Sequence, residues 1–528
     1  MEIKSINRDD TFFSNDFIKD YYTDKFKDFR SYEPKIEEVA RAIGAKKSFT
    51  LEKRKTLVSE LYAQYQNAEI ILDEDSLVAK NIASLKNANT YTITTGQQIH
   101  IGLGPLYVAY KTFETIAICK ELKELYPENN FVPVFWMATE DHDLEEIRTI
   151  SAYGKTFTWN TKQTGAVGRM NTNGLVEVFE EIASTLNLNS EQKQFIELCK
   201  EYYTHSNLSD SFRRLLHFYF KEEGLVILDG DSNNLKQSFV PVLMDEFKQE
   251  NTEALQKTTQ NLLALGVEQQ IVIRDINLFT LRNANRLKIK KEGNSWVDES
   301  GSSLCNSADL ESYITQEAAE ISPNAALRPL YQEWILPNLV YVGGGAEVKY
   351  WLQLKGLFDN YEMPMPLVHL RSSSIIVQAK RLMKMQYETI ADFFLADSEV
   401  ISKYGNELKL LGDSFFERIS RLESELNLFN KDFENAFSGA SVTKKIDKIF
   451  PKIDELKQIT QSQLKIKSQS NSNLDKIIKL KSSQFNESVI QERTDSVLAY
   501  IDIIGQLSSK TEKCSGFNKS QKINIIIS

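Results

Sequence analysis

One unit recurs along the chain and limits what it can fold into: a short apolar stretch, a polar or glycine-rich loop, then a helical pattern. "TYTITT" (90–95) is stopped by Gly96, and "FVPVFWMA" (131–138) runs into the polar "TEDHDLEE". "GLVILDGD" (224–231) precedes a helix starting near Asn233. "NLVYVGGGAEVKYWLQLK" (338–355) places three glycines before a helix, and "MPLVHLRSSS" (365–374) supplies a fifth strand. Short, β-branched apolar runs read as buried strands. Their alternation with helices predicts an α/β fold, a parallel sheet with helices on both faces. Ligands in such sheets sit off the carboxyl ends of the strands, where the polar clusters of this chain fall.

With 528 residues the chain exceeds a single hydrophobic core. Stretches 150–223 and 250–337 are too long for simple crossovers and read as inserted subdomains. The expected boundary lies at 375, with the α/β core in 1–375 and a helical domain in 376–528. Phe415, Ile419, Leu422, Leu426, Phe429 and Phe433 form a heptad seam. "FSGAS" (437–441) is a turn, and Ile446, Ile449, Ile453 and Leu456 resume the seam, with Pro451 suiting a helix start. This predicts an antiparallel helical hairpin or coiled coil, with dimerisation as its use.

The net charge of −10 argues against a chain built to neutralise nucleic-acid phosphates. No apolar run approaches the roughly 20 residues of a membrane span, and "MEIKSINRDDTFF" lacks a signal-peptide core. Cys119, Cys199, Cys305 and Cys514 are far apart and read as ordinary thiols of a cytoplasmic protein.

Several loops carry candidate chemistry. Gly96-Gln97-Gln98, followed by a helix from Pro105, makes an anion site from free N–H groups and the helix dipole. Gly102 and Gly104 allow close approach of a phosphate, and Lys111 adds a positive charge or points to water. His100-Ile-Gly lacks the second histidine of a His-Ile-Gly-His signature and reads as structural. Glu140, Asp141, His142, Asp143, Glu145 and Glu146 form the densest cluster. It suits a divalent metal, or an ammonium grip with His142 as general base. An acidic helix N-terminus accounts for Glu145 and Glu146. Gly343, Gly344 and Gly345, with Glu347 and Tyr350 beyond, suit a nucleotide ring or ribose, or a flexible turn. Arg371 suits a phosphate or carboxylate clamp, while Ser372 to Ser374 suit a helix N-cap.

Together "TTGQQ…GPLYVAYK", "PVFWMATEDHDLEEI", "GGGAEVKYWLQL" and "PMPLVHLRSSS" resemble the bacillithiol biosynthesis cysteine-adding enzyme family, BshC, from about residue 1 to 490. The resemblance implies a Rossmann-like core of the class I nucleotidyl transferase type, with connecting insertions and a C-terminal coiled coil that makes a homodimer. It implies a ligase joining cysteine to the amine of glucosaminyl malate; because a carboxylate is a poor electrophile, ATP, with Mg²⁺ as its ion, is the expected activator. Asp141, His142 and Asp143 are then the expected catalytic residues. Gly96, Gln97, Gln98, Gly104, Pro105, Tyr107, Lys111, Trp136, Glu140, Gly344, Gly345, Glu347, Tyr350, Arg371 and Ser372 are the expected substrate and nucleotide contacts. The end of the chain departs from the family: after "IQER" (490–493) an aromatic-rich segment is expected, and "CSGFNKSQKINIIIS" is polar with an apolar tail. Two other readings stand beside the ligase: a metal-dependent hydrolase centred on Asp141-His142-Asp143, and a scaffold whose coiled coil is the working part.

Overall fold

The five apolar stretches pair into one sheet in a computed structural model, which describes residues 2–11, 14–46, 49–204, 207–379, 394–395, 398–399, 406–437, 442–468, 489–508, 515–517 and 522–527. The strands are β1 (Thr90–Gln97), β2 (Asn130–Met137), β3 (Val226–Asp229), β4 (Asn338–Gly343) and β5 (Leu367–Leu370). Their order is β5-β4-β1-β2-β3, and every neighbouring pair is parallel. That is the Rossmann order, and its direction reverses between β1 and β4. The register sets Gly96 opposite Trp136 and Val342 opposite Thr95, so the carboxyl ends of β2, β1 and β4 lie level.

Helix α1 (Leu106–Leu125) carries the chain from β1 to β2. It is apolar nearly all round, the pattern of a helix enclosed by protein, and even Lys111 and Glu114 are buried within it. Tyr91, Ile93, Leu339, Val340 and Leu367 pack with Ile118, Leu122 and Val39 into one core cluster. Helix α2 (Gly345–Leu352) starts directly after β4.

The long stretches hold structure of their own. The first contains an antiparallel hairpin, Thr149–Ala152 with Lys155–Thr158, and the helices Leu175–Thr185, Ser190–Tyr202 and Leu208–Phe220. The second contains a five-stranded antiparallel sheet, ordered Ser303–Asn306, Ser295–Asp298, Leu287–Glu292, Leu278–Thr280, Ile321–Pro323.

The chain divides into two compact units. One comprises Asp16–Ile375 with Gln491–Asn524; the other comprises Met1–Asn15, Ile376–Ile490 and Ile525–Ser528. The units depart from the expected division at 375 in two places: Met1–Asn15 falls with the helical unit, and Gln491–Asn524 returns to the α/β unit. Two contacts hold the return. Arg371 pairs with Glu492 through both guanidinium nitrogens, at 2.7 and 3.0 Å, and Gln192 donates to the carbonyls of Leu498 and Ala499.

In the other unit, α3 (Asn406–Ala436) and α4 (Phe450–Ser468) lie antiparallel. Lys457 reaches Glu423 at 2.6 Å midway along α3, and Thr443 reaches Glu434 at 2.6 Å near the turn. Ile419, Ile446, Ile453 and Leu464 are buried, whereas Phe415, Leu422, Phe429 and Leu456 stay exposed. Residues 438–441 of the expected turn lie outside the described residues. Among the described residues no helix is long and apolar enough to cross a membrane.

Candidate active site

At the carboxyl end of β1, Lys111 turns back from α1 toward the sheet rather than to water. Its Nζ donates to the Gly96 carbonyl at 2.5 Å, to Gln97 Oε1 at 3.1 Å and to Glu347 Oε2 at 2.7 Å. Glu347 in turn accepts from Tyr341 at 2.7 Å and from the Gly344 N–H at 2.8 Å. Burial works to raise the Glu347 carboxyl, but Lys111 and these donors hold it below its ordinary value. Lys111 and Glu347 thus form a buried ion pair joining β1 to the start of α2. This is the switch point of the sheet, where dinucleotide folds bind ligands.

A cavity of about 310 Å³ opens there. It collects Gly96, Gln97, Gln98, Tyr107, Lys111, Trp136, Asp141, Gly344, Glu347, Tyr350 and Arg371 from the expected set. Gln97 donates to the Tyr107 hydroxyl at 3.0 Å. Glu146, from the acidic cluster, also lines it, and so do Arg328, Arg493 and Tyr341, which sequence alone does not single out. Tyr341 alone left a sequence cue, a hydroxyl inside an apolar strand that needs a partner. Glu145 and Glu146 both stand in the first turn of the short helix Leu144–Ile147, the acidic helix N-terminus expected, and Glu146 also faces the cavity, where partial burial raises its carboxyl.

Seven expected residues lie elsewhere. Gly104 and Pro105 border a separate cavity of about 260 Å³ with His100 and Thr494. The loop before α1 is filled by protein: the Leu106 N–H donates to Asp495 O at 2.9 Å, and Val497 N–H donates to Gly104 O at 2.9 Å. Gly104 has φ 69°, and a Cβ on it would lie 2.5 Å from His100 Cβ. These glycines serve packing, not a phosphate. His100 is buried and held down to about 4 by that burial, the structural histidine expected. Gly345 meets open space and lines neither of the two cavities at the sheet's mouth. Ser372 donates to Glu114 at 2.7 Å, and Ser373 opens a strand, Ser373–Val377, so the expected helix N-cap is absent. Arg371 spends its fork on Glu492 and faces the cavity as half of an ion pair.

The loop after β2 separates its residues by role. Asp141 lies at the cavity wall; Gln98 donates to its Oδ2 at 2.7 Å, and the His142 N–H to its Oδ1 at 2.7 Å. Burial opposes its ionisation, yet His142, Arg286 and Gln98 hold its carboxyl well below the usual carboxylate range. Asp143 caps the short helix Leu144–Ile147 by accepting from Glu146 N–H at 3.2 Å, and it lines neither of these two cavities. His142 is half-exposed, its Nδ1 3.2 Å from Arg286. Glu140 is buried against Lys236 at 2.6 Å and lines a second cavity. Among the described residues no three His, Cys, Asp or Glu side chains form a metal-holding group. The donor set of the hydrolase reading is thus not assembled.

Comparison with known proteins agrees with this architecture. A family profile described as "Bacillithiol biosynthesis BshC, N-terminal Rossmann-like domain" matches residues 1–372. A protein of Flavobacterium psychrophilum is 37% identical over 507 residues, covering 93% of each chain. Another from Flavobacterium johnsoniae is 34% identical, covering 90% of each. A third, from Cytophaga hutchinsonii, is 33% identical and covers 87% of this chain and 86% of its own. All three bear the name "Putative cysteine ligase BshC". With its Rossmann sheet and a match that spans both units, this chain belongs to the bacillithiol biosynthesis BshC family.

Proposed function

We propose that this chain is a ligase of bacillithiol biosynthesis that forms an amide between the carboxyl group of cysteine and the amine of glucosaminyl malate. The observation that carries the reading is the convergence of Gly96, Asp141, Gly344, Glu347 and Arg328 on one cavity at the switch point of a Rossmann sheet. A carboxylate is a poor electrophile, so the reaction needs activation. ATP with Mg²⁺ supplies it when bound, either by adenylation with loss of pyrophosphate and later AMP, or by phosphorylation with loss of ADP and later phosphate.

The residues divide the remaining work. Asp141 stays ionised, which makes it a poor proton acceptor and a good grip for a substrate ammonium. Glu146, raised by burial and lining the same cavity, is the better acceptor for the proton of the attacking amine. Arg328 donates to Tyr350 at 3.0 Å and to Gln332 at 3.0 Å, and stands over Trp136 and Tyr341. It offers its remaining donors to charge developing in the cavity. The Lys111–Glu347 pair fixes the walls. A cytoplasmic homodimer paired through α3 and α4 belongs to the same proposal, because Phe415, Leu422, Phe429 and Leu456 remain exposed.

The test follows nucleotide hydrolysis with cysteine and glucosaminyl malate. Release of AMP or of ADP that depends on both substrates is expected, and the product identifies the route. Asp141→Asn should raise KM for an amine-bearing substrate by about tenfold or more while the melting temperature stays nearly unchanged. No substrate-dependent turnover with any nucleotide sinks the ligase.

A further inference from the structure

A second cavity, of about 370 Å³, adjoins the first and shares Trp136, Ala138, Asp141 and Arg328 with it. It lies between the ends of β2 and β3 and the inserted antiparallel sheet, away from the switch point. Its charges are sorted. Two of the three carboxylates on its wall are matched by cations that do not line it: Glu140 by Lys236 at 2.6 Å, and Asp231 by Lys236 at 3.1 Å and Arg169 at 2.7 Å; the third, Asp141, stands at the junction with the first cavity. The arginines that line it are not so matched. Arg274 has no ion-pair partner among the described residues and stands 5.4 Å from the centre of the Phe279 ring. Arg286 packs on the same ring at 4.1 Å. Arg286 donates to Ser322 Oγ at 3.2 Å and to Pro323 O at 3.0 Å, and its nearest carboxylate, Asp141, is 4.0 Å away. Its side chain is only 9% exposed. Arg328 bonds neutral Tyr350 and Gln332 rather than a carboxylate.

A buried guanidinium without a close anion is costly, and a planar guanidinium suits a carboxylate. Apart from Thr139 and Asn324 the rest of the wall is apolar, with Ile271, Val272 and Ala326 among it. We infer that this second cavity is an oxyanion subsite for a small dicarboxylate, held by Arg274, Arg286 and Arg328. The subsite stands on this charge pattern; that its occupant is the acid-bearing arm of the amine substrate rests on the ligase reading above. Asp141, shared by both cavities, then grips the amine at their junction while the acid arm lies under the inserted sheet.

Calorimetry on the full chain tests this with succinate and malate as probes, inorganic phosphate and ADP as the other arms. Wild type should bind the dicarboxylates and bind phosphate at least about tenfold more weakly. Arg274→Gln, a half-exposed site, should weaken the dicarboxylates by about tenfold or more and leave ADP affinity unchanged. Arg286→Lys should do the same, with its fold checked by circular dichroism. The inference is overturned if wild type binds neither dicarboxylate, if Arg274→Gln binds them as wild type does, or if that variant loses ADP or phosphate instead. Dicarboxylate binding lost in Arg274→Gln, with no amide formed by wild type under any nucleotide, upholds the subsite and removes only the ligase reading.

Discussion

Two glycine-containing loops leave the carboxyl edge of the sheet side by side, one after β1 and one after β4, and they do opposite things. In the loop after β1, Gly102 and Gly104 have φ of 59° and 69°, and the space a side chain would fill belongs to Ile150 and His100. Asp495 and Val497 cover its backbone. In the loop after β4, Gly344 has a negative φ, a Cβ on it would find only Glu347 at 3.5 Å and Arg371 at 3.9 Å, and one on Gly345 would find nothing. The first loop is packed and the second is open. Glycine in a loop therefore states only that something comes close. Which neighbour it is separates packing from binding.

The sharpest test of the second loop is the ion pair that anchors it. Removing one partner of a buried pair leaves the other charge uncompensated, so Lys111→Met should cost about 3–5 kcal/mol of stability in denaturant unfolding. A loss below about 1 kcal/mol would mean that Glu347 is anchored by Tyr341 and the Gly344 N–H alone. The next largest effect belongs to the first loop. Gly104→Ala adds a Cβ 2.5 Å from His100 Cβ at a positive φ, and about 2–4 kcal/mol should be lost. Wild-type thermal stability in that variant would show a loop with room to spare, and the contrast between the two loops would collapse.

His100 occupies that room, and its ionisation gives a third test. Burial holds its imidazole to about 4, against 6.5 for an unburied one. Below pH 6.5 the unfolded chain takes the proton first, so stability present at pH 7 is lost as pH falls toward about 4. The contribution at pH 5 is about 2 kcal/mol. The fall in stability between pH 7 and pH 5 should be smaller by that amount in His100→Gln. Equal slopes in the two proteins would place the histidine in contact with water.

The sheet and its order of use were readable from sequence because each strand is a short apolar run ended by a glycine or a polar cluster. The convergence of loops on one rim followed from that alone. Chain position could not tell which way a side chain turns. Sequence alone leaves Lys111 between phosphate and solvent, whereas the enclosing helix directs it to Glu347, 236 residues away. Asp141 and Asp143 looked alike as neighbours in one acidic run, yet one lies at a cavity wall and the other caps a helix. Arg274, Arg286 and Arg328 carry no signal in the sequence, because isolated arginines in an insertion make no local pattern. Only the folding of the inserted sheet against the ends of β2 and β3 brings them to one cavity. The return of Gln491–Asn524 was illegible for the same reason, since Glu492 has meaning only opposite Arg371.

The smallest effect is also the most discriminating between the two loops. Gly345 is the first residue of α2, its φ is negative, and a methyl group there meets open space. Replacing glycine at such a position lowers the conformational freedom of the unfolded chain without strain in the folded one, so Gly345→Ala should raise stability by about 0.4–1 kcal/mol. Gly104→Ala moves stability the other way, which makes the sign of the difference the readout rather than its size. Gly344, one residue earlier, lines the cavity, and a methyl group there narrows it. Nucleotide affinity should therefore fall in Gly344→Ala and stay at the wild-type value in Gly345→Ala, a contrast that packing alone does not produce. If Gly344→Ala binds nucleotide as wild type does, the open loop is an ordinary helix start and the glycines there have no ligand to admit.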